Sequence, residues 1–552
     1  MLTMATDSAV SREVGVGQQK PLRDYTPSPW GKFFLNHIPC TPSQYKEMED
    51  MARAKKEVVR KTILDVAASP DLATKLELVD TLQRIGVGYH YREEIGELLH
   101  DVHDDEDAKE CDDLGVAALR FYLLRKQGYH VSPDVFLKFR DGHGNYESND
   151  VKSLLTLYDA AHTRVHGEQI LDDAIAFTRT RLRSIAEQGN LEPPLAEEVR
   201  CTLETSCFRR VERVEARRYI SVYEKKATRD KTILELAKVD FNIIQTIYCQ
   251  ELKALTIWWE DFKSRTGLQF ARDRIVEMHF WMLGVLYEPQ HSCSRVMITK
   301  LVMFVSLCDD LFDNYSTTEE SNMFTAAMDR WEKQAAEKFP AYLKAIYVNI
   351  LDTTDGIVEE LKRQKNKYAE LVRKLVINMV KCYHAEVKWR DEHYVPATVE
   401  EHLEVSVRSS ACMHIISLTF ITFGDITTME AIEWASTYPK IVRGVCIVGR
   451  IGNDMVSNER EQGSEHVSST VETCMKEHGI TTEQAHVKLK AIIEEAWMDI
   501  TMEYLEHKHP ILLLEKAIDL ARTMDFMYKH EDAYTLSYSL KSTLESLFVN
   551  FV

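Results

Sequence analysis

The sequence predicts an all-α protein. Apolar residues recur at i, i+3, i+4 and i+7 in most windows, as in Val116–Leu124 (VAALRFYLL) and Val372–Cys382 (VRKLVINMVKC), rather than in alternation. Only 21 glycines and 14 prolines punctuate 552 residues, too few for a turn-rich β protein. A composition that is 45% hydrophobic and 28% charged is globular, and the length allows two or more cores.

Taken in order, the N-terminal residues before Pro21 lack both the apolar centre of a secretory signal and the long Ser/Arg-rich character of an organelle transit segment, so a cytoplasmic protein is expected. Pro21–Pro42 is proline-rich and reads as an extended strap on the surface of a helical body. The charged, apolar-poor Glu224–Lys231 (EKKATRDK) is the expected join, which gives an N-terminal helical domain over 1–228, strap 1–42 included, and a larger one over 229–552. Met413–Phe423 (MHIISLTFITF) is the longest largely apolar stretch and falls short of the roughly 18 residues that a membrane span needs. No repeat of 20 to 50 residues is visible, which argues against a solenoid.

Charge and cysteine usage exclude other classes. A formal net charge of −19 repels nucleic acid and anionic membrane surfaces, so any anion must be held by a local basic site. Eleven cysteines without a CxxC or a His/Cys cluster at zinc spacing indicate neither a disulfide framework nor structural zinc.

The chemistry concentrates in two acidic constellations. Leu301–Asp313 (LVMFVSLCDDLFD) is an apolar run ending in Asp309, Asp310 and Asp313; buried carboxylates are costly without a compensating cation or donor. Asp309 and Asp313 project from one helix face and can hold a hard cation such as Mg²⁺, while Asp310 points away and is expected behind that pair or in solvent. In RIGNDMVSNERE, Asn453, Ser457 and Glu461 fall at i, i+4 and i+8, about 80° of one helix face, and offer an amide oxygen, a hydroxyl and a carboxylate. Such a site is completed by water and phosphate oxygens. The plain alternative for the Asp309–Asp313 stretch is a solvated acidic helix end.

The segment LQFARDRIVEMHFWMLGVLYEPQ with SRVMITKLVMFVSLCDDLFD resembles the class I terpene synthases of plants, specifically the angiosperm sesquiterpene synthases. RDYTPSPWGKFF, LVDTLQRIGVGYHYREEI, LRFYLLRKQGYHVSPDVF and YKHEDAYT extend the likeness along nearly the whole chain. The resemblance implies a C-terminal α-bundle holding the active site and a catalytically silent, α-barrel-like N-terminal domain. It implies three Mg²⁺ ions, with Mn²⁺ a possible substitute, that ionise a prenyl diphosphate before the carbocation cyclises in a closed apolar pocket. Asp309 and Asp313 would hold two ions, and Asn453, Ser457 and Glu461 the third. Arg272, Arg274 and Arg450 would grip the diphosphate, with Asp309, Asp313 and Asn453 at the same group. Trp281 would offer its π face to the cation, and Tyr528, Asp532 and Tyr534 would form pocket wall and lid. Ser409, Ser410 and Ala411 match a helix break whose carbonyls face the cation.

Departures narrow the reading. The proton-donating DxDD of class II relatives is absent: the nearest stretch is Asp112, Asp113, Leu114, Gly115, and Asp104–Asp107 reads as a solvated loop. The tandem arginines that cyclic monoterpene synthases carry ahead of a tryptophan are Lys20 and Pro21 ahead of Trp30. Ala533 stands where glycine is more usual and is expected to stiffen the lid. The expected activity is a carbon–oxygen lyase releasing diphosphate from farnesyl diphosphate to give a sesquiterpene. The alternatives are a mono- or diterpene synthase using geranyl or geranylgeranyl diphosphate, a chain-elongating prenyltransferase, which lacks its second DDxxD here, and a non-catalytic helical interaction protein. No stable membrane insertion is expected, and a monomer is preferred to a dimer.

Overall fold

The computed structural model describes residues 25–552 apart from 142, 143, 147, 149, 269 and 462–466, and apart from the side chains of 106, 107, 314 and 461. The described residues form helices throughout, with one isolated antiparallel bridge between Arg140 and Tyr146. Many helix starts are written locally. Thr41 with Gln44, Thr317 with Glu320, Ser469 with Glu472 and Thr481 with Gln484 each make a reciprocal capping box that satisfies two otherwise unpaired N–H groups. Asp113, in the stretch compared above with DxDD, caps Leu114–Lys126 by accepting from the Val116 N–H at 2.8 Å.

The N-terminal half packs its helices around Leu114–Lys126, which is apolar on most sides and buried accordingly. Its first long helix, Pro42–Ala67, lies along α1 (Lys231–Thr266) of the C-terminal half. The bundle that follows is built from α2 (Ile275–Val285), α3 (Ser292–Asp310), α4 (Leu371–Glu392), α5 (Val399–Ser409), α6 (Cys412–Phe423), α7 (Lys440–Glu461), α8 (Thr482–Leu505) and α9 (Ile511–Met527). All of α2 is buried. α7 packs on both α8 and α9, and Gly444 permits the close approach to α8: a Cβ there would sit 2.9 Å from the Ala496 carbonyl oxygen.

Val399–Ile426 is long and apolar enough to cross a membrane by length and composition, yet 67% of its most apolar window is buried inside the protein. It is broken in the middle, because Ala411 takes a left-handed φ of 60° between α5 and α6. The stretch is a pair of core helices.

From Tyr25 to Pro42 the strap is mostly exposed or half-buried and is pinned to the helical body at a few points; its residues 21–24 lie outside the described residues. Ser28 donates to Glu277 at 3.1 Å, the Thr26 carbonyl accepts from Arg274 at 2.6 Å, and Trp30 and Phe34 are buried. Backbone carbonyls and short polar side chains seat it on α2, and two aromatic rings anchor it in the core.

Candidate active site

Members of the two acidic constellations, far apart in sequence, line one polar cavity: Asp309 from the end of α3, Asp313 just beyond it, and Asn453 from α7, joined there by Asp454. α3 does not run straight through the aspartates. It ends at Asp310 and widens into a π-helical turn, Leu311–Tyr315, which carries Asp313. Such turns occur often at functional sites. Asn453 also lines the neighbouring apolar cavity, as do Arg272, Asp309, Arg450 and Asp532, so these residues form the boundary between polar mouth and apolar interior.

Each basic residue is oriented by its neighbours. Arg272 donates to Asp309 at 2.5 Å and, through backbone and side chain, to Asp310 at 2.9 and 3.3 Å. Asp310 is therefore buried at 1% exposure and held by Arg272 and the Tyr25 hydroxyl, which excludes the solvent-facing alternative. Burial pushes its carboxyl up, and Arg272 only partly offsets this. Arg450 donates to the Ser409 hydroxyl at 3.1 Å and the Ser406 carbonyl at 3.4 Å, so the end of α5 aims it at the cavity.

Arg274, which the resemblance places at the diphosphate, is fully buried and lines neither cavity. Its donors go to the carbonyls of Tyr534, Thr535, Asp273 and Thr26. It clamps the strap to the loop after α9, because a planar fork of five donors suits several converging carbonyls.

The apolar cavity has aromatic walls. The Trp281 ring meets Tyr528 edge-on at 5.9 Å and Tyr534 at 5.5 Å. Burial raises the Tyr528 and Tyr534 phenols well above their ordinary range, so both are neutral hydroxyls at physiological pH. Asp532 accepts from Arg460 at 2.7 Å and from the Thr535 N–H at 3.0 Å. Burial pushes it up, but Arg460 and that N–H outweigh burial and keep it ionised below the usual carboxylate range. Ala533 is buried and is not among the left-handed positions of the described residues, so alanine fits there without strain. Ser409 closes α5, Ser410 and Ala411 line the apolar cavity, and the helix break lies where the resemblance implied.

Residues that spacing alone did not reveal complete the cavity. Glu386 on α4 accepts from Ser409 at 2.6 Å, lies 3.9 Å from Arg450 and faces the polar space. Burial raises its carboxyl. One signal was present: Glu386 occupies the apolar register of Met379, Tyr383 and Val387, where a carboxylate is out of place. Tyr25 and Arg460 carried no such signal, since only the fold brings them here.

The donor set fits a hard divalent cation. Asp309, Asp313 and Asn453 present oxygens to one cavity; Ser457, one turn beyond Asn453, lines neither cavity and is fully buried, with a hydroxyl that has no hydrogen-bond partner among the described residues. Glu461 closes α7, and its side chain lies outside the described residues. Among the described residues no group of three His, Cys, Asp or Glu side chains could by itself hold a metal ion, so water and phosphate oxygens would have to complete the site.

Comparison with known proteins agrees with this geometry. Residues 29–203 match the model described as terpene synthase, N-terminal domain, and residues 260–499 match the terpene synthase family, metal binding domain. The chain belongs to the terpene synthase family. Within it, the chain is 54% identical over 525 residues to the (E)-beta-caryophyllene synthase of Zea mays, with 95% of each chain covered. It is 44% identical to the beta-sesquiphellandrene synthase of Sorghum bicolor, covering 97% of this chain and 96% of that one. Isoprene synthase from grey poplar, solved with three Mg²⁺ ions and dimethylallyl-S-thiolodiphosphate, superposes with a TM-score of 0.84 at 28% identity, over 92% of this chain and 98% of that one.

Proposed function

We propose that this protein is a Mg²⁺-dependent sesquiterpene synthase that ionises farnesyl diphosphate, releases diphosphate, and cyclises or rearranges the resulting carbocation. The observation that carries the reading is the boundary itself, where carboxylates, an amide and arginines stand at the mouth of an apolar cavity walled by Trp281, Tyr528 and Tyr534. The similarity to two sesquiterpene synthases favours a fifteen-carbon substrate. Asp309 and Asp313, with Asn453, Ser457 and Glu461, would hold Mg²⁺, or Mn²⁺ in its place, which when bound neutralises charge developing on the leaving diphosphate.

The protein's own groups do the rest. Arg272 and Arg450 bind the diphosphate as fixed donors whose charge is never lost, and Arg272 is available once the anion displaces its hold on Asp309. The chain of the substrate is buried against apolar walls, which exclude the water that would quench a cation. The π face of Trp281 stabilises positive charge passing over it. The Asp532–Arg460 pair ties the loop after α9 to α7 and keeps Tyr528 and Tyr534 in the cavity wall.

The decisive test is diphosphate release by the purified chain from farnesyl diphosphate, with and without Mg²⁺ and after chelation, with products identified by gas chromatography and mass spectrometry. Turnover insensitive to metal removal, or a higher kcat/KM for geranyl or geranylgeranyl diphosphate, overturns the assignment. Division of the chain at 228/229, a cytoplasmic monomer, and separation from nucleic acid belong to the same proposal.

A further inference from the structure

Three polar atoms in the wall of the apolar cavity have no hydrogen-bond partner among the described residues: Ser306 Oγ, Tyr534 Oη and Trp281 Nε1. Ser306 is 5% exposed and lies on α3, three residues, hence about 4.5 Å of helix rise, before Asp309. Buried hydroxyls on helices ordinarily turn back to the carbonyl four residues earlier. Thr299 on this same helix does so, donating to the Arg295 carbonyl at 2.7 Å, as do Thr256 and Thr501. Ser306 makes no such bond and lines the cavity instead. It faces the Tyr534 phenol, and the two hydroxyls interact through a side-chain contact too poorly aligned to satisfy either as a full hydrogen bond.

A buried hydroxyl left unpaired costs stability and calls for a reason. A hydrocarbon offers it no hydrogen bond, but a carbocation offers it positive charge, and a fixed dipole in a dry cavity acts on charge far more strongly than in water. We propose that Ser306 is a specificity-determining residue: its oxygen, with that of Tyr534, holds positive charge near one position in the cavity and thereby selects the branch that the cation follows. This inference rests on the sesquiterpene synthase reading and adds the residue that steers the outcome.

The test compares the wild-type chain with Ser306→Ala and Ser306→Thr, assaying diphosphate release from farnesyl diphosphate, product distribution and thermal melting. Ser306→Ala is expected to release diphosphate within about threefold of wild type while the ratio of the main products shifts by about fivefold or more, equivalent to about 1 kcal/mol in relative barriers. Ser306→Thr retains the hydroxyl and is expected to keep the ratio within about twofold. Tyr534→Phe, which removes the second hydroxyl, should move the same products. An unchanged ratio in Ser306→Ala overturns the proposal. So does a Thr variant that shifts products as far as Ala, since shape would then decide, or an Ala variant that loses only alcohol products, since the hydroxyl would then have held a water. Failure of the wild type to release diphosphate would instead refute the underlying activity.

Discussion

Asp309, Asp310 and Asp313 are consecutive in motif but different in work. Asp309 and Asp313 present oxygens to the polar cavity, so Asp309→Ala or Asp313→Ala should lower kcat by about 10³-fold, comparable to losing one key electrostatic contact, while the melting temperature stays within a few degrees. Asp310 instead accepts from Arg272 and Tyr25. Asp310→Asn should therefore act mainly through KM, by roughly tenfold, with a measurable loss of thermal stability because two neighbours lose their charged acceptor. Trp281 separates bulk from π character. Trp281→Phe should retain much of the turnover with altered products, whereas Trp281→Leu should fall a further thirtyfold or so, the equivalent of about 2 kcal/mol of cation–π stabilisation in a desolvated site. Equal rates and equal melts for the two variants would show that the ring is only packing.

At the scale of elements, the break between α5 and α6 and the strap on α2 each make a prediction. Ala411 sits at φ 60° with a side chain that disfavours that region, so Ala411→Gly should be neutral or stabilising, and Ala411→Val should cost about 1 to 3 kcal/mol in thermal or chemical denaturation. Such strain is kept where the surroundings enforce it, here at a helix end that aims Arg450. Glu277, on the first turn of α2 under the strap, is buried, and burial lifts its carboxyl to about 7, with Arg274 opposing and Asp273 adding to the shift. Its folded pKa is raised above the unfolded value, so its contribution is present below about pH 4.5 and lost as pH rises through about 7. The wild type should thus lose stability between these limits more steeply than Glu277→Gln, and melting curves at pH 5 and pH 8 should converge in the variant.

At the scale of the whole molecule, Glu288 joins the two halves of the chain. It is almost fully buried and accepts from Lys516, itself 2% exposed, at 3.1 Å and from Arg92 of the N-terminal half at 2.8 Å. Glu288→Ala leaves Lys516 with Asp519 alone and should cost about 3 to 5 kcal/mol, whereas Arg92→Ala, which removes a partner 42% exposed, should cost less than about 1 kcal/mol. Comparable melts for the two variants would contradict this. Glu288 is held below its ordinary pKa: burial raises it, and Lys516 and Arg92 more than compensate. Its stabilising contribution is therefore present above about pH 4.5 and fades on acidification.

The residues themselves determined the all-α class, because a 3.6-residue apolar period and local caps such as Thr41 with Gln44 are written in short windows. They also determined the donor chemistry, since Asp309 and Asp313, and Asn453 and Ser457, are each four residues apart in sequence, although the π turn that carries Asp313 shows only in the structure. Only the tertiary structure decided which side chains meet. Arg272 and Arg274 are two residues apart and look interchangeable, yet one faces the carboxylates and the other is spent on four carbonyls of the strap, the loop after α9 and its own turn. Glu386, Tyr25 and Ser306 come to the site from three distant segments. Periodicity constrains the face of one helix, whereas the partner of that face depends on long-range packing, which no local window contains.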